Sequence, residues 1–288
     1  MRKTKKQKNT IYIILCFLIL LIILLSFLLL KNPDHLYKTQ SLFLRSENHY
    51  EIEELNKNEL KAFQIENTDW PSNQSLMLVN NEYSLPENFS VDLAEYRDST
   101  VFMNTALLDD YALLTEAVTK QTGDKLYVSS VYRSYEEQEE IYEEDPIYAN
   151  KPGHSEHQTG LALDVYVESF SGPAFIKSKA GQFIDQHCAE YGFIIRYPEN
   201  KEDITGIPYE AWHIRYVGLP HSMIIAKNFW TLEEYINFLE PGHIYTVNDY
   251  IISRQNPNQD ILLPDSISDI HYSYDNTGYI IITARVNN

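Results

Sequence analysis

Cysteine is nearly absent from this chain. The 288 residues include two, Cys16 and Cys188. The first lies in a long apolar run and the second in a predicted helix, so we do not expect the two thiols to pair. This scarcity excludes both a disulfide framework and a zinc site built from cysteines.

Basic residues are also few. Lys and Arg number 23 against 41 Asp and Glu, which gives a formal net charge of −18. Because such a chain repels phosphate, we expect no nucleic-acid partner. The motifs S-x-x-K, G-x-S-x-G and H-E-x-x-H do not occur in the sequence, which argues against the common serine hydrolases and against the helical zinc motif.

The longest apolar run covers residues 11–30 and follows five cations among the first eight residues. About 20 apolar residues are enough to cross a bilayer. Positive charge before the run predicts a cytoplasmic basic tail over 1–9, an anchor over 10–30 and an extracytoplasmic remainder at the cell membrane. A cleaved signal peptide is the alternative, but its apolar region is usually shorter and ends in small residues, whereas this one ends in three leucines.

The predicted fold class is α+β. We expect a small antiparallel sheet with flanking helices around a metal site, preceded by one transmembrane helix and followed by a small β appendix. The predicted boundaries are a stalk over 31–75 with one short helix near residues 52–63, a main domain over 76–240 and the appendix over 241–288. Predicted strands cover 76–79, 126–131, 160–167, 193–197 and 212–217; predicted helices cover 107–118, 135–143, 174–191, 220–229 and 231–239.

Two segments carry candidate chemistry, residues 154–164 and 210–213. They supply His157, Asp164 and His213, which could close on one metal ion. Zinc hydrolases commonly use three protein ligands and leave the fourth position to water. Glu210 would be the further carboxylate that takes a proton without binding the metal.

Asp164 falls in an apolar predicted strand, where an unpaired carboxylate would be costly. A metal ion would provide its partner, and a salt bridge to Arg196 or Arg215 is the alternative. The spacing of these residues also occurs by chance, so it does not decide between the two.

Three motifs in order carry a family resemblance: Y-R-S-x-x-x-Q from Tyr132, S-x-H-x-x-G-x-A-x-D from Ser155, and E-x-W-H-x-R-Y-V-G from Glu210. Together they resemble the zinc D-alanyl-D-alanine carboxypeptidases of the VanY type, a group that includes L,D-carboxypeptidases of peptidoglycan. The resemblance covers roughly residues 76–240. Ala211 departs from it, since many relatives have proline there.

The resemblance implies a role for each matching residue. One zinc ion per chain would be held by His157, Asp164 and His213, with Glu210 as general base and acid, Arg133 as the cation that stabilises the oxyanion, and Ser155 and Gln138 as contacts to the substrate. The implied partner is a peptidoglycan stem peptide or its precursor.

The implied activity is removal of the C-terminal D-alanine from stem pentapeptides, which is compatible with glycopeptide resistance and with ordinary wall maturation. One alternative is an L,D-carboxypeptidase acting on tetrapeptide stems. Others are a non-catalytic zinc module that binds wall peptides or a protein, and a spacer subunit of a membrane complex. The oligomeric state is left open.

Overall fold

The computed structural model describes residues 15, 17–20, 52–55, 60–146 and 149–287. The chain divides into two units, Met1–His49 and Tyr50–Asn288. In the first unit the described residues are helical. The predicted basic tail and most of the predicted anchor lie outside the described residues. Within the described part of the chain, no helix has both the length and the apolar character needed to cross a membrane.

The second unit has an α+β fold, as predicted. Its strands are β1 Glu53–Glu54, β2 Leu60–Phe63, β3 Ser72–Asn73, β4 Leu93–Glu95, β5 Phe102–Asn104, β6 Tyr127–Ser130, β7 Ala162–Tyr166, β8 Phe193–Ile195, β9 His213–Tyr216, β10 Ile244–Val247, β11 Tyr250–Gln255, β12 Ile261–Pro264, β13 Ile267–Tyr274 and β14 Ile280–Val286. Its α-helices are α1 Leu108–Thr122, α2 Tyr135–Glu144, α3 Lys179–His187, α4 Glu202–Thr205, α5 His221–Asn228 and α6 Leu232–Phe238.

One sheet of this unit is four-stranded and antiparallel, in the order β6-β7-β9-β8. Helix α1 presents Tyr111, Leu114 and Val118 to the core at the predicted helical spacing and ends at Gly123, whose φ is 80°. Helix α2 begins with the predicted capping box, in which the Ser134 hydroxyl accepts from the Glu137 amide. These local signals, which satisfy free backbone groups at helix ends, place the elements correctly.

The segment predicted as helical, 174–191, is helical but is divided into three pieces. The segment is a 3-10 helix at Gly172–Lys177, then α3, then a second 3-10 helix at Cys188–Tyr191. Ser178 interrupts it with an extended backbone, and its hydroxyl caps α3 by accepting from the Gly181 amide. Serine favours such a cap over a helix interior because its side chain competes for backbone donors.

The predicted strand at 76–79 is also wrong. The segment is buried but has no strand pairing. Its polar backbone groups are satisfied in another way: the Leu78 amide donates to the Asp275 carbonyl, and the Arg215 guanidinium donates to the carbonyls of Ser75 and Met77. The apolar run of four residues therefore correctly indicates that the segment is buried, but it does not indicate a strand.

The C-terminal strands form a second sheet, six-stranded, in the order β1-β10-β11-β14-β13-β3, and β12 pairs separately with β2. Strands β1, β2 and β3 come from the region predicted as a stalk. The short helix expected near residues 52–63 is wrong where the chain is described, because β1 and β2 lie there; residues 56–59 lie outside the described residues. The sheet and helices α5 and α6 share one core, to which Ile224, Tyr235, Ile252 and Ile281 contribute. The domain boundaries remain predictions, although strand pairing and this core join residues across them.

Candidate metal centre

Neighbouring strands bring the two predicted site segments together. In the antiparallel pairing of β7 with β9, Asp164 lies directly opposite His213. His157 lies on the 3-10 turn Glu156–Thr159 that leads into β7. Gly160 ends this turn with a φ of 66°, and a Cβ there would approach the Asn104 backbone nitrogen to 3.0 Å. The motif glycine therefore allows the chain to turn closely enough to place His157 beside the strand.

The three predicted ligands form one cluster. His157 Nε2 lies 3.3 Å from Asp164 Oδ2, and His213 Nδ1 lies 3.0 Å from Asp164 Oδ1. One ligand atom from each residue falls within 4.8 Å of the others. Both imidazoles are buried, and their rings meet edge to face at 5.1 Å.

Hydrogen bonds on the outer side of His157 set its tautomer. Its Nδ1 lies 2.8 Å from the Val131 carbonyl oxygen. Because a carbonyl can only accept, Nδ1 donates and the lone pair on Nε2 is left for a metal ion.

Buried polar atoms without a hydrogen-bond partner indicate whether the cluster is suited to bind a cation. Among the described residues, three buried side-chain atoms lack a hydrogen-bond partner: Asp164 Oδ1, His213 Nε2 and Glu156 Oε2. A buried carboxylate oxygen without a partner is costly. A cation at the cluster would remove this cost for Asp164, and two imidazole nitrogens with one carboxylate are a ligand set that suits zinc.

The alternative partners for Asp164 are engaged elsewhere. Arg196 and Arg215 both donate to Glu156 Oε1, at 2.6 and 2.7 Å. The hypothesis that one of them forms a salt bridge with Asp164 is therefore wrong.

The pKa values of the cluster reflect the same contacts. Burial raises the pKa of Asp164, but the neighbouring imidazoles of His157 and His213 outweigh it, so that the pKa is lowered. Burial lowers the pKa of His157. For His213 burial acts in the same direction, yet Asp164 and Glu156 raise its pKa to about 9. An ion that binds His213 must therefore displace a proton at neutral pH.

Glu210 lies beside the ligand cluster without joining it. Its Oε2 is 3.8 Å from His213 Nδ1, and its side chain keeps 26% of its exposure. Burial raises the pKa of Glu210. A carboxylate next to the ligands, with a raised pKa and partial access to solvent, is suited to accept a proton and return it.

Arg133 is held next to the cluster by two side chains. Its Nη1 donates to Gln138 Oε1 at 2.7 Å and its Nη2 donates to Ser130 Oγ at 3.0 Å. Gln138 is buried and donates from Nε2 to the Asn150 carbonyl at 2.6 Å. Both ends of this amide are thus engaged by the protein. The predicted substrate contacts of Gln138 and of Ser155, which is also buried, remain predictions.

Sequence reasoning missed Ser130 and Glu156. Ser130 lies opposite Asp164 in the β6–β7 register, which a sequence alone does not fix. Glu156 stands between two motif residues and is fully buried. The position of Glu156 directly before the predicted ligand His157 could have indicated its importance, since a carboxylate buried at such a position needs a partner.

The site therefore consists of two imidazoles and one carboxylate, with a separate carboxylate and a guanidinium beside them. This arrangement of groups is typical of metal-dependent hydrolases.

Residues 101–219 match the family described as VanY: D-alanyl-D-alanine carboxypeptidase. The D-alanyl-D-alanine carboxypeptidase of Enterococcus faecium is 34% identical over 188 residues, which are 60% of this chain and 61% of that enzyme. The bifunctional D-Ala-D-Ala dipeptidase and carboxypeptidase VanXYC of Enterococcus gallinarum is 37% identical over 57% of this chain and 95% of its own length.

Two solved structures share the fold. The LdcB LD-carboxypeptidase superposes with a TM-score of 0.53 at 34% identity, covering 62% of this chain and 94% of that one. A mutant of the vancomycin resistance D,D-pentapeptidase VanY in complex with Zn(II) gives 0.51 at 30% identity, covering 57% and 99%. This chain belongs to the VanY family of D-alanyl-D-alanine carboxypeptidases.

Proposed function

We propose that this protein is a membrane-anchored zinc D,D-carboxypeptidase that removes the C-terminal D-alanine from peptidoglycan stem pentapeptides. The observation that carries the proposal is the cluster of His157, Asp164 and His213 with Glu210 at 3.8 Å from it. The names of the enterococcal relatives support the D-Ala-D-Ala specificity. The apolar run at 11–30 supports a single-pass anchor with the domain outside the cell.

One zinc ion would be held by the three clustered side chains. When bound, such an ion polarises a carbonyl and lowers the pKa of a water molecule. The tautomer of His157, fixed by the Val131 carbonyl, keeps Nε2 available for this purpose.

The steps that protein side chains carry out fall to Glu210 and Arg133. Glu210 accepts a proton from the attacking water as its oxygen bonds to the carbonyl carbon of the last peptide bond. The same carboxyl returns the proton to the amine as the C–N bond breaks, so that D-alanine and a stem shortened by one residue leave. Arg133, fixed by Gln138 and Ser130, donates to the oxyanion that develops between these steps.

An L,D-carboxypeptidase acting on tetrapeptide stems is the second candidate. The structural likeness to the LdcB LD-carboxypeptidase favours it, and it would use the same groups in the same roles. A role in vancomycin resistance is supported by the name of the related VanY pentapeptidase, and a role in wall maturation fits the chemistry equally.

Released amino acids distinguish these functions. Purified protein would be offered pentapeptide and tetrapeptide stems, with zinc and with a chelator, beside the Glu210→Ala variant. D-Alanine released from the pentapeptide, and lost with chelator and in the variant, is the expected result. Release from the tetrapeptide alone would move the assignment to the L,D reaction. Zinc binding without any release would favour the non-catalytic module.

A further inference from the structure

Four buried charged side chains lie directly behind the predicted ligand His213. They are Glu156, Arg196, Arg215 and Glu233. Glu156 Oε1 accepts from Arg196 Nε at 2.6 Å and from Arg215 Nη1 at 2.7 Å. Arg196 also donates to both oxygens of Glu233, at 2.9 and 2.6 Å. Two carboxylates thus balance two guanidiniums in a region closed to solvent.

The second oxygen of Glu156 is not used by this network. Oε2 has no hydrogen-bond partner and lies 3.7 Å from His213 Nε2, which also has none. The other nitrogen of the same ring, Nδ1, faces Asp164 at 3.0 Å. One small movement of either group would close a hydrogen bond between Nε2 and Oε2 and satisfy both atoms.

We infer that Glu156 is a positioning residue for His213: its Oε2 accepts a hydrogen bond from Nε2–H and so keeps Nδ1 free of its proton and turned toward the metal ion. This inference rests on the proposed zinc site. A carboxylate on the outer nitrogen of a ligating imidazole fixes its tautomer and its orientation and makes it a stronger ligand.

The arginines determine which way Glu156 can face. Because guanidinium groups only donate, they hold Oε1 and leave Oε2 as the oxygen available to His213. Arg196 is held in turn by Glu233 on helix α6. Helix α6 lies beyond residues 101–219, where the family match ends, so the support of this ligand extends outside the matched segment.

Glu156→Gln gives a sharp test because an amide is not symmetric. The two arginines will take its oxygen, which turns its NH₂ group toward His213 Nε2. That nitrogen must then accept, so the proton moves to Nδ1, the atom that the metal needs. Glu233→Gln is the matched control: it removes the same charge from the same network but does not face His213.

Zinc affinity of the metal-free full-length chain, purified in detergent, would be measured by competition with a chromophoric chelator. We expect Glu156→Gln to weaken zinc binding by roughly 10–100-fold and Glu233→Gln to change it much less. Unchanged affinity in Glu156→Gln, or equal losses in both variants, would overturn the inference while leaving the zinc site in place. Failure of the unsubstituted chain to bind zinc would instead overturn the proposed function, and this inference with it.

A second measurement needs no variant and serves if Glu156→Gln does not fold. In zinc-loaded protein with ¹⁵N-labelled histidine, long-range ¹H–¹⁵N correlation reports which nitrogen of His213 carries a proton. A protonated Nε2 whose proton exchanges slowly with water is expected. A proton on Nδ1, with the metal on Nε2, would overturn the inference.

Discussion

Replacing Arg215 with methionine is expected to destabilise the fold strongly, although Arg215 is not a predicted ligand. Its side chain has no exposed surface. Its guanidinium donates to Glu156 Oε1 and to the carbonyls of Ser75, Met77 and Tyr216. One side chain therefore joins the metal-site strand β9, the buried charge network and the irregular segment at 75–79.

The magnitude follows from what the substitution leaves behind. Methionine can fill most of the space but donates no hydrogen bond. Glu156 would keep Arg196 as its partner, whereas the carbonyl oxygens of Ser75, Met77 and Tyr216 would lose the hydrogen bond from Arg215. Removing one partner of a buried ion pair costs about 3–5 kcal/mol, and each buried group left unpaired costs about 1–3 kcal/mol. We expect a loss of about 3–5 kcal/mol, because Arg196 still compensates the charge of Glu156, which reduces the first cost, and relaxation recovers part of the second.

Urea unfolding of the metal-free protein measures this loss directly. The matched control is Arg97→Met, because Arg97 pairs with Glu116 at 2.7 Å but is 53% exposed; we expect it to cost less than about 1 kcal/mol. A loss for Arg215→Met as small as that of the control would refute the reasoning. It would mean that the carbonyls and Glu156 find other partners once the guanidinium is gone.

Three further predictions follow from the site and its surroundings. Glu210→Gln keeps the shape of the side chain but cannot take a proton, so D-alanine release should fall by about 10²–10⁴-fold while zinc affinity, read by chelator competition, stays unchanged; lost affinity would make Glu210 a ligand. Arg133→Met should lower kcat by about 10²–10³-fold through the lost donor to the oxyanion, and an unchanged kcat would remove it from the mechanism. Burial lowers the pKa of His221 to about 3, from 6.5, so stability is full above pH 6.5 and falls by about 1.4 kcal/mol per unit toward pH 3. In His221→Gln, unfolding free energies at pH 5 and pH 7 should differ by about 2 kcal/mol less than in the unsubstituted protein, and equal pH dependence in the two proteins would contradict this.

Part of the candidate site depends on a local signal: Gly160 fixes the turn after His157. The pairing that sets Asp164 opposite His213 joins strands far apart in sequence, and it is indicated by the order of the three motifs and not by a local pattern. The spacing of apolar residues along α1 and the capping box of α2, like the turn at Gly160, depend on neighbours in sequence. Such features can be predicted from one chain.

The remaining features depend on partners far away in sequence. In β1, Glu53 pairs with Thr246, and in β2, Leu60 pairs with Pro264. Neither of these short strands has a residue pattern that predicts which strand it pairs with. The segment at 76–79 is apolar like a strand, but the Met77 carbonyl accepts a hydrogen bond from Arg215, 138 residues later in the chain. Glu156 next to His157 gives no sign of which arginine it meets. Each of these contacts joins residues far apart in sequence, and many other apolar or charged residues could have been the partner. The periodicity of apolar residues does not identify which one it is.

The most direct test of the zinc carboxypeptidase account is a zinc titration of metal-free protein with D-alanine release from a pentapeptide stem as the readout. Activity should rise with added zinc and reach its plateau at one zinc per chain, and Asp164→Ala should show neither the rise nor the plateau. Full release from the metal-free protein, or a plateau that Asp164→Ala also reaches, would contradict the assignment of His157, Asp164 and His213 as the metal ligands.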